Sequence, residues 1–313
     1  MAAPNTNDGD DLSHLPTVSR MSRQLRAVVP AGVSRKLLTR KSFRSFRRRL
    51  HIHSALDTPF YRLAPPQCHP NELPGPPDFV GIGVQKAGTS WWFDLLTRHP
   101  AVYHRPYVDV DKERHFFSHH AVTQFTDEDA VAYANWFPRF PGTVTGEWTP
   151  DYFYYAWVPE MLNLAAPNAR LLLLLRDPVE RFVSGISHLN RINEGSLPEG
   201  DIVQDAFARG LYGAQLQRWF QHIPPERILI LQYEQCVRDT SKELARTFSF
   251  LGIDESVTIP NSGEVINPSL QEKSRLPSDV KERFVDLYSQ DADLLASLAP
   301  DLDLSLWSST GHG

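Results

Sequence analysis

The chain has 313 residues, 41% hydrophobic and 11% aromatic, which is enough apolar surface for one sizeable core. A formal net charge of −5 supplies no global attraction to nucleic acid or to anionic membranes, so no nucleic-acid partner is expected. Two cysteines, Cys68 and Cys236, make neither a disulfide framework nor a zinc site, and no metal is expected.

Residues 1–18 are polar and acidic and read as disordered. From Arg20 to Arg49 there are eleven Lys or Arg and no Asp or Glu. Within that stretch "SRKLLTRKSFRSFRRRL" places Leu37, Leu38, Phe43, Phe46 and Leu50 close to helical spacing. Two readings stand side by side: a solvated arm, or a basic amphipathic helix giving residues 20–50 a peripheral contact with anionic membrane. Pro65, Pro66, Pro70, Pro74, Pro76 and Pro77 then form an extended connector. The expected organisation is an N-terminal extension over 1–76 and one catalytic-sized domain over 77–313. No run approaches the roughly 18 apolar residues of a membrane span, and the N-terminus lacks the apolar core of a signal peptide. A soluble, cytoplasmic protein is expected. Nothing in the chain fixes an oligomeric state.

From residue 77 onward strands and helices alternate. Strands are expected at Phe79–Val84, Val144–Glu147, Arg170–Leu175 and Ile228–Gln232. Helices are expected at Thr89–Arg98, Ala156–Ala165, Pro178–Asn190, Tyr212–Phe220, Ser241–Leu251 and Ser278–Leu298. The strand at 170–175 is apolar at nearly every position, as in a sheet buried on both faces. This alternation predicts an α/β protein, a doubly wound parallel sheet with flanking helices, binding its ligand at the carboxyl ends of the strands.

Two of those ends carry chemistry. After the first strand comes "QKAGTSW", Gln85–Trp91. Gly88 allows a close turn, and the helix opening at Thr89 or Ser90 offers amide N–H groups and its positive dipole end to an anion. Lys86 adds a full charge, and the two hydroxyls add donors. The lysine precedes the glycine, so the ATP-type phosphate loop is not matched, and no magnesium-binding aspartate is evident. After the third strand comes "RDPVERFVSGISHL". Asp177 can cap the helix that Pro178 opens. Arg176, together with Ser184 two turns on, can share the oxygens of one phosphate. Two such turns on one sheet suit a nucleotide phosphorylated at both its 3′ and 5′ positions. A generic strand–turn–helix with an incidental lysine is the plain alternative for the first turn, and a capped helix with a structural Arg–Asp pair for the second.

"QKAGTSW" resembles the 5′-phosphosulfate loop of sulfotransferases that use 3′-phosphoadenosine 5′-phosphosulfate (PAPS), and "RDPVERFVSGISH" resembles their 3′-phosphate segment. "KERHFF" (112–117), "GEWTPDYF" (146–153) and "GLYGAQLQRWFQHIPPERILILQYE" (210–234) resemble, in order, segments of the heparan-type carbohydrate enzymes of that family. The resemblance runs over about 200 residues. It implies a P-loop nucleotide-kinase-like sulfotransferase fold and PAPS as donor without a metal. Donor contacts would come from Lys86, Ala87, Gly88, Thr89, Ser90, Trp91, Arg176, Ser184 and Tyr212. A covering loop would contain Lys273, Ser274 and Arg275. Glu113 occupies the place of the family's base and His115 that of its helper; a Lys112–Glu113 surface pair and a packed histidine are the plain alternatives. Lys86 would stabilise the leaving phosphate. Glu147, Trp148 and Tyr152 would face the acceptor, a small molecule or glycan: a carbohydrate, glycolipid or secondary metabolite bearing a hydroxyl. Many relatives carry a lysine where Trp148 stands, which argues against a highly anionic acceptor. The competing functions are a P-loop nucleotide kinase or phosphotransferase and a non-catalytic nucleotide-binding scaffold.

Overall fold

Continuous apolar runs nucleate the sheet. In the computed structural model, which describes residues 65, 67–104, 112–121, 123–192, 200–262 and 277–307, β1 (Phe79–Gly83) is buried at every position and β3 (Arg170–Leu175) at all but its first. β2 (Gly146–Trp148) is fully buried and β4 (Ile228–Gln232) nearly so. These residues belong to one of the chain's two units, Pro59–Gly313. The basic stretch of residues 20–50 and the covering loop with Lys273, Ser274 and Arg275 lie outside the described residues.

The four strands pair in parallel in the order β2-β1-β3-β4. Phe79 stands opposite Gly146 on one side and Arg170 on the other, and Leu171 opposite Ile228. The chain leaves β1 toward one edge, returns across it to β3, and continues to β4. The carboxyl ends of β1 and β3 are therefore the switch point, where connections diverge and leave a crevice.

The helices follow from local signals. α1 (Thr89–Thr97) starts after Gly88 and buries Trp91, Trp92, Phe93, Leu95 and Leu96. α2 (Asp127–Ala134) opens with a reciprocal Thr126–Asp129 capping box. α3 (Val158–Ala165) has proline in its first turn. α4 (Pro178–Ile192) is capped as expected: Asp177 Oδ1 accepts from Val179 N at 2.9 Å and Glu180 N at 3.1 Å. α5 (Gly200–Ala208), α6 (Tyr212–Trp219), α7 (Tyr233–Arg238), α8 (Thr240–Leu251) and an unbroken α9 (Ser278–Leu298) complete the described helices.

Two strand boundaries are corrected: the first strand was expected at 79–84 and ends at Gly83. The second strand was expected at 144–147 and lies at 146–148. Val144 instead bridges Val102, and register pairing with β1 begins at Gly146. The main core runs through the sheet with Trp91, Trp92, Trp148, Trp219 and Trp307 all buried. A smaller cluster joins Val179, Phe182, Val183, Ala206 and Tyr288 between α4, α5 and α9.

Candidate active site

The turn after β1 is shaped by its backbone. Gly88 has φ 89°, and a Cβ there would lie 2.8 Å from the Tyr233 ring, so both conformation and space demand glycine. As the N-cap of α1 it has no side chain to offer, and no side-chain cap bond is made there. Thr89 and Trp91 point into the core, while Ser90 is exposed. Ala87 is buried, its amide donating to the Val84 carbonyl at 3.2 Å. Lys86, half-buried, has φ 71°.

The two turns meet. Arg176 Nη1 donates to the Lys86 carbonyl at 3.4 Å, its Nη2 lies 3.6 Å from Glu180, and its guanidinium sits 4.8 Å over the Tyr233 ring. The Tyr212 hydroxyl donates to the Arg176 carbonyl at 2.9 Å from a fully buried position, and burial pushes that phenol far up. Ser184 lies half-buried two turns along α4. Arg176 is thus a strut between the turns as well as a cation at their junction.

A second segment runs along the outer edge of β2. Lys112 bridges Trp148 in parallel fashion, and the Glu113 amide donates to the Trp148 carbonyl at 2.9 Å. Glu113 has φ 60° and His115 φ 53°. With Lys86, these are three of the four non-glycine residues of positive φ among the described residues, the fourth being Asn261. Each such backbone costs roughly 1–2 kcal/mol, and residues of this kind gather where function over-determines conformation.

Lys112 Nζ lies 2.6 Å from Glu113 Oε1. Partial burial alone would raise the Glu113 carboxyl, but Lys112, His115 and Lys86 override it and hold it below the usual range. The surface-pair alternative is therefore present in the structure, alongside the proximity to Lys86. His115 meets an acid: its Nδ1 lies 3.7 Å from Asp151 Oδ2. Asp151 is anchored by Arg209 Nη1 at 2.7 Å, and Arg209 also reaches Asp205 at 2.8 Å. A cleft lined by Val84, Gln85, Pro150, Phe153, Tyr154, Arg209 and Gln215 opens beside this cluster and the first turn.

The three residues expected to face an acceptor do not reach a surface. Glu147, Trp148 and Tyr152 are all 0% exposed. Glu147 accepts from the hydroxyls of Tyr133 at 2.7 Å, Tyr152 at 3.1 Å and Thr149 at 2.6 Å. Its burial raises the carboxyl, opposed by Arg114 and the three hydroxyls. Tyr152 also accepts the Phe116 amide at 2.9 Å. Trp148 lies over Gly81 and donates Nε1–H to the Gly83 carbonyl at 3.2 Å. These residues frame the site from beneath and do not line it.

A family model described as "Sulfotransferase domain" matches residues 76–272, more than half of the chain. The chain belongs to that family. It is 28% identical over 195 residues to human heparan sulfate glucosamine 3-O-sulfotransferase 3B1, an alignment covering 58% of this chain and 47% of that protein. To mouse heparan sulfate glucosamine 3-O-sulfotransferase 6 it is 28% identical over 194 residues, covering 58% and 54%. The chain spans about half the length of these curated relatives. A solved sulfotransferase structure from Alicyclobacillus acidocaldarius superposes with a TM-score of 0.60 at 26% identity, covering 74% of this chain and 98% of that one. The α/β parallel sheet with flanking helices is the sulfotransferase fold.

Within this sulfotransferase domain, three site-building residues lie inside the segments 146–153 and 210–234, yet no local pattern marks what each of them contacts. Tyr233 lies between Gly88 and Arg176. Glu234 accepts from the Asp177 amide at 3.1 Å and from Trp307 Nε1 at 2.8 Å, tying the C-terminal segment to the second turn. Asp151 meets both His115 and Arg209. The motif "QYE" after an apolar strand marks the first two only once the strand order is known.

Proposed function

We propose that the chain transfers a sulfuryl group from PAPS to a hydroxyl of a carbohydrate, glycolipid or secondary-metabolite acceptor. The observation that carries this is the junction of Lys86 and Arg176, two cations on turns joined by one hydrogen bond at the sheet's switch point. Membership of the family and relatives named for heparan sulfate glucosamine support the donor and a carbohydrate-type acceptor. The residues present suit the donor: no side-chain cap competes for the N-terminus of α1, and Gly88 permits the φ of 89° on which the turn depends.

In the reaction the acceptor O–H gives its proton to Glu113, whose lowered pKa keeps it a carboxylate at neutral pH. The acceptor oxygen forms a new S–O bond. The S–O bond to the donor phosphate breaks in line, and its electron pair stays on the phosphate of the product, adenosine 3′,5′-bisphosphate. Lys86 and the α1 amides stabilise that growing charge, and Arg176 with Ser184 grips the 3′-phosphate.

The test is transfer of radiolabelled sulfate from PAPS to a panel of glycans, glycolipids and phenols, with a melt in adenosine 3′,5′-bisphosphate. The expected outcome is label in at least one acceptor, a raised Tm, and loss of transfer in Lys86→Ala. No transfer and no Tm shift, or binding of ATP that depends on magnesium, would overturn it.

A further inference from the structure

We infer that Asp151 is a positioning residue that fixes His115 as the second station for the proton leaving the acceptor; this rests on the sulfuryl-transfer reading above. Glu113 is well placed to take a proton but poorly suited to keep one, because the ammonium of Lys112 at 2.6 Å favours its ionised form. A histidine facing a carboxylate is the better holder near neutral pH. Here His115 Nδ1 faces Asp151 Oδ2 at 3.7 Å, and His115 is near enough to Glu113 to depress it.

The support behind Asp151 is rigid. Its other oxygen is held by Arg209 Nη1 at 2.7 Å, and Arg209 is itself fixed by Asp205 at 2.8 Å and by the Tyr154 ring 4.4 Å from its guanidinium carbon. The side chains of Asp151 and Arg209 are only 14% and 15% exposed, so water screens this arrangement weakly. The His115 backbone is pinned as well, its amide donating to Thr149 Oγ1 at 3.3 Å with φ 53°. The charged groups near the ring are Asp151, with Arg209 and Asp205 behind it, and Glu113, itself influenced by Lys112 and Lys86.

With Nδ1–H turned to Asp151, the lone pair of Nε2 is left for the reacting side. The proton passes from the acceptor O–H to the Glu113 carboxylate and then to Nε2. An imidazolium paired with Asp151 results, and Glu113 is returned as a carboxylate. No electrons are exchanged beyond those of the S–O bonds already described.

The test uses the full chain. Nitrogen-15 correlation spectra of the wild type should show neutral His115 protonated at Nδ1, and Asp151→Asn should shift the balance toward Nε2–H. In the transfer assay Asp151→Asn should lower kcat about tenfold or more while the KM for PAPS changes less than about twofold. Wild-type His115 protonated at Nε2, or a variant with unchanged kcat, would overturn the inference and leave the transferase reading standing. No sulfate transfer by the wild type would overturn that reading and the proton relay with it.

Discussion

Replacing Gly81 by alanine should be among the most damaging single-methyl additions in the sheet. An ideal Cβ at that position falls 2.0 Å from Trp148 Cδ2 and 2.1 Å from its Cγ. Gly81 and Trp148 are register partners on hydrogen-bonded strands, so neither backbone can slide away without breaking the pairing. The indole must leave a fully buried seat and give up its hydrogen bond to the Gly83 carbonyl. Evicting it costs about as much as truncating it, roughly 3–5 kcal/mol, against a total stability of about 5–15 kcal/mol for a typical domain. Urea unfolding followed by tryptophan fluorescence would measure Gly81→Ala, Trp148→Ala and the double variant. Because both singles lose the same indole contacts, the double should cost about as much as the worse single, and not the roughly 6–10 kcal/mol of their sum. A loss under about 1 kcal/mol for Gly81→Ala, or simple additivity, would refute the close-packing argument.

Glu147→Gln should alter how stability depends on pH. The folded carboxyl sits above the ordinary value of 4.5, so the fold binds its proton more tightly than the unfolded chain does. Its contribution is fully present below about pH 4.5 and is lost as pH rises through the folded value; urea titrations across that window should show the variant gaining on the wild type. Arg176→Ala removes both a cation and the strut to Lys86, and calorimetry should show affinity for adenosine 3′,5′-bisphosphate falling about ten- to a hundredfold, with Arg176→Lys restoring only part. Trp307→Phe keeps a ring beside Tyr212 but removes the 2.8 Å donor to Glu234, and a thermal melt should register a loss of about 1–2 kcal/mol.

The sheet was legible wherever burial on both faces wrote an unbroken apolar run, as in β1, β3 and β4. The caps were legible too, because Asp177-Pro178 and Gly88 are local signals. α2 was missed because it buries only Tyr133, so no apolar stripe marks "DEDAVAYA"; its start depends on the Thr126–Asp129 capping box. α7 was missed because six residues follow β4 directly, with no breaker between. The donor-side residues were read from motifs, but Tyr233 acts through contacts with residues far away in sequence, and no local pattern encodes that. Glu147, Trp148 and Tyr152 were expected to face an acceptor and are fully buried. A three-residue strand has too few positions for alternation to tell an inner face from an outer one.

The cluster of Glu113 and His115 hangs from the free margin of β2, while Arg176 and Tyr233 follow the strands on the far side of β1. The two halves of the site thus rest on separate foundations with one shared wall, the β1 turn. If the proposed roles hold, substitutions along the outer margin would change which hydroxyl is presented and leave the two joined turns as they are.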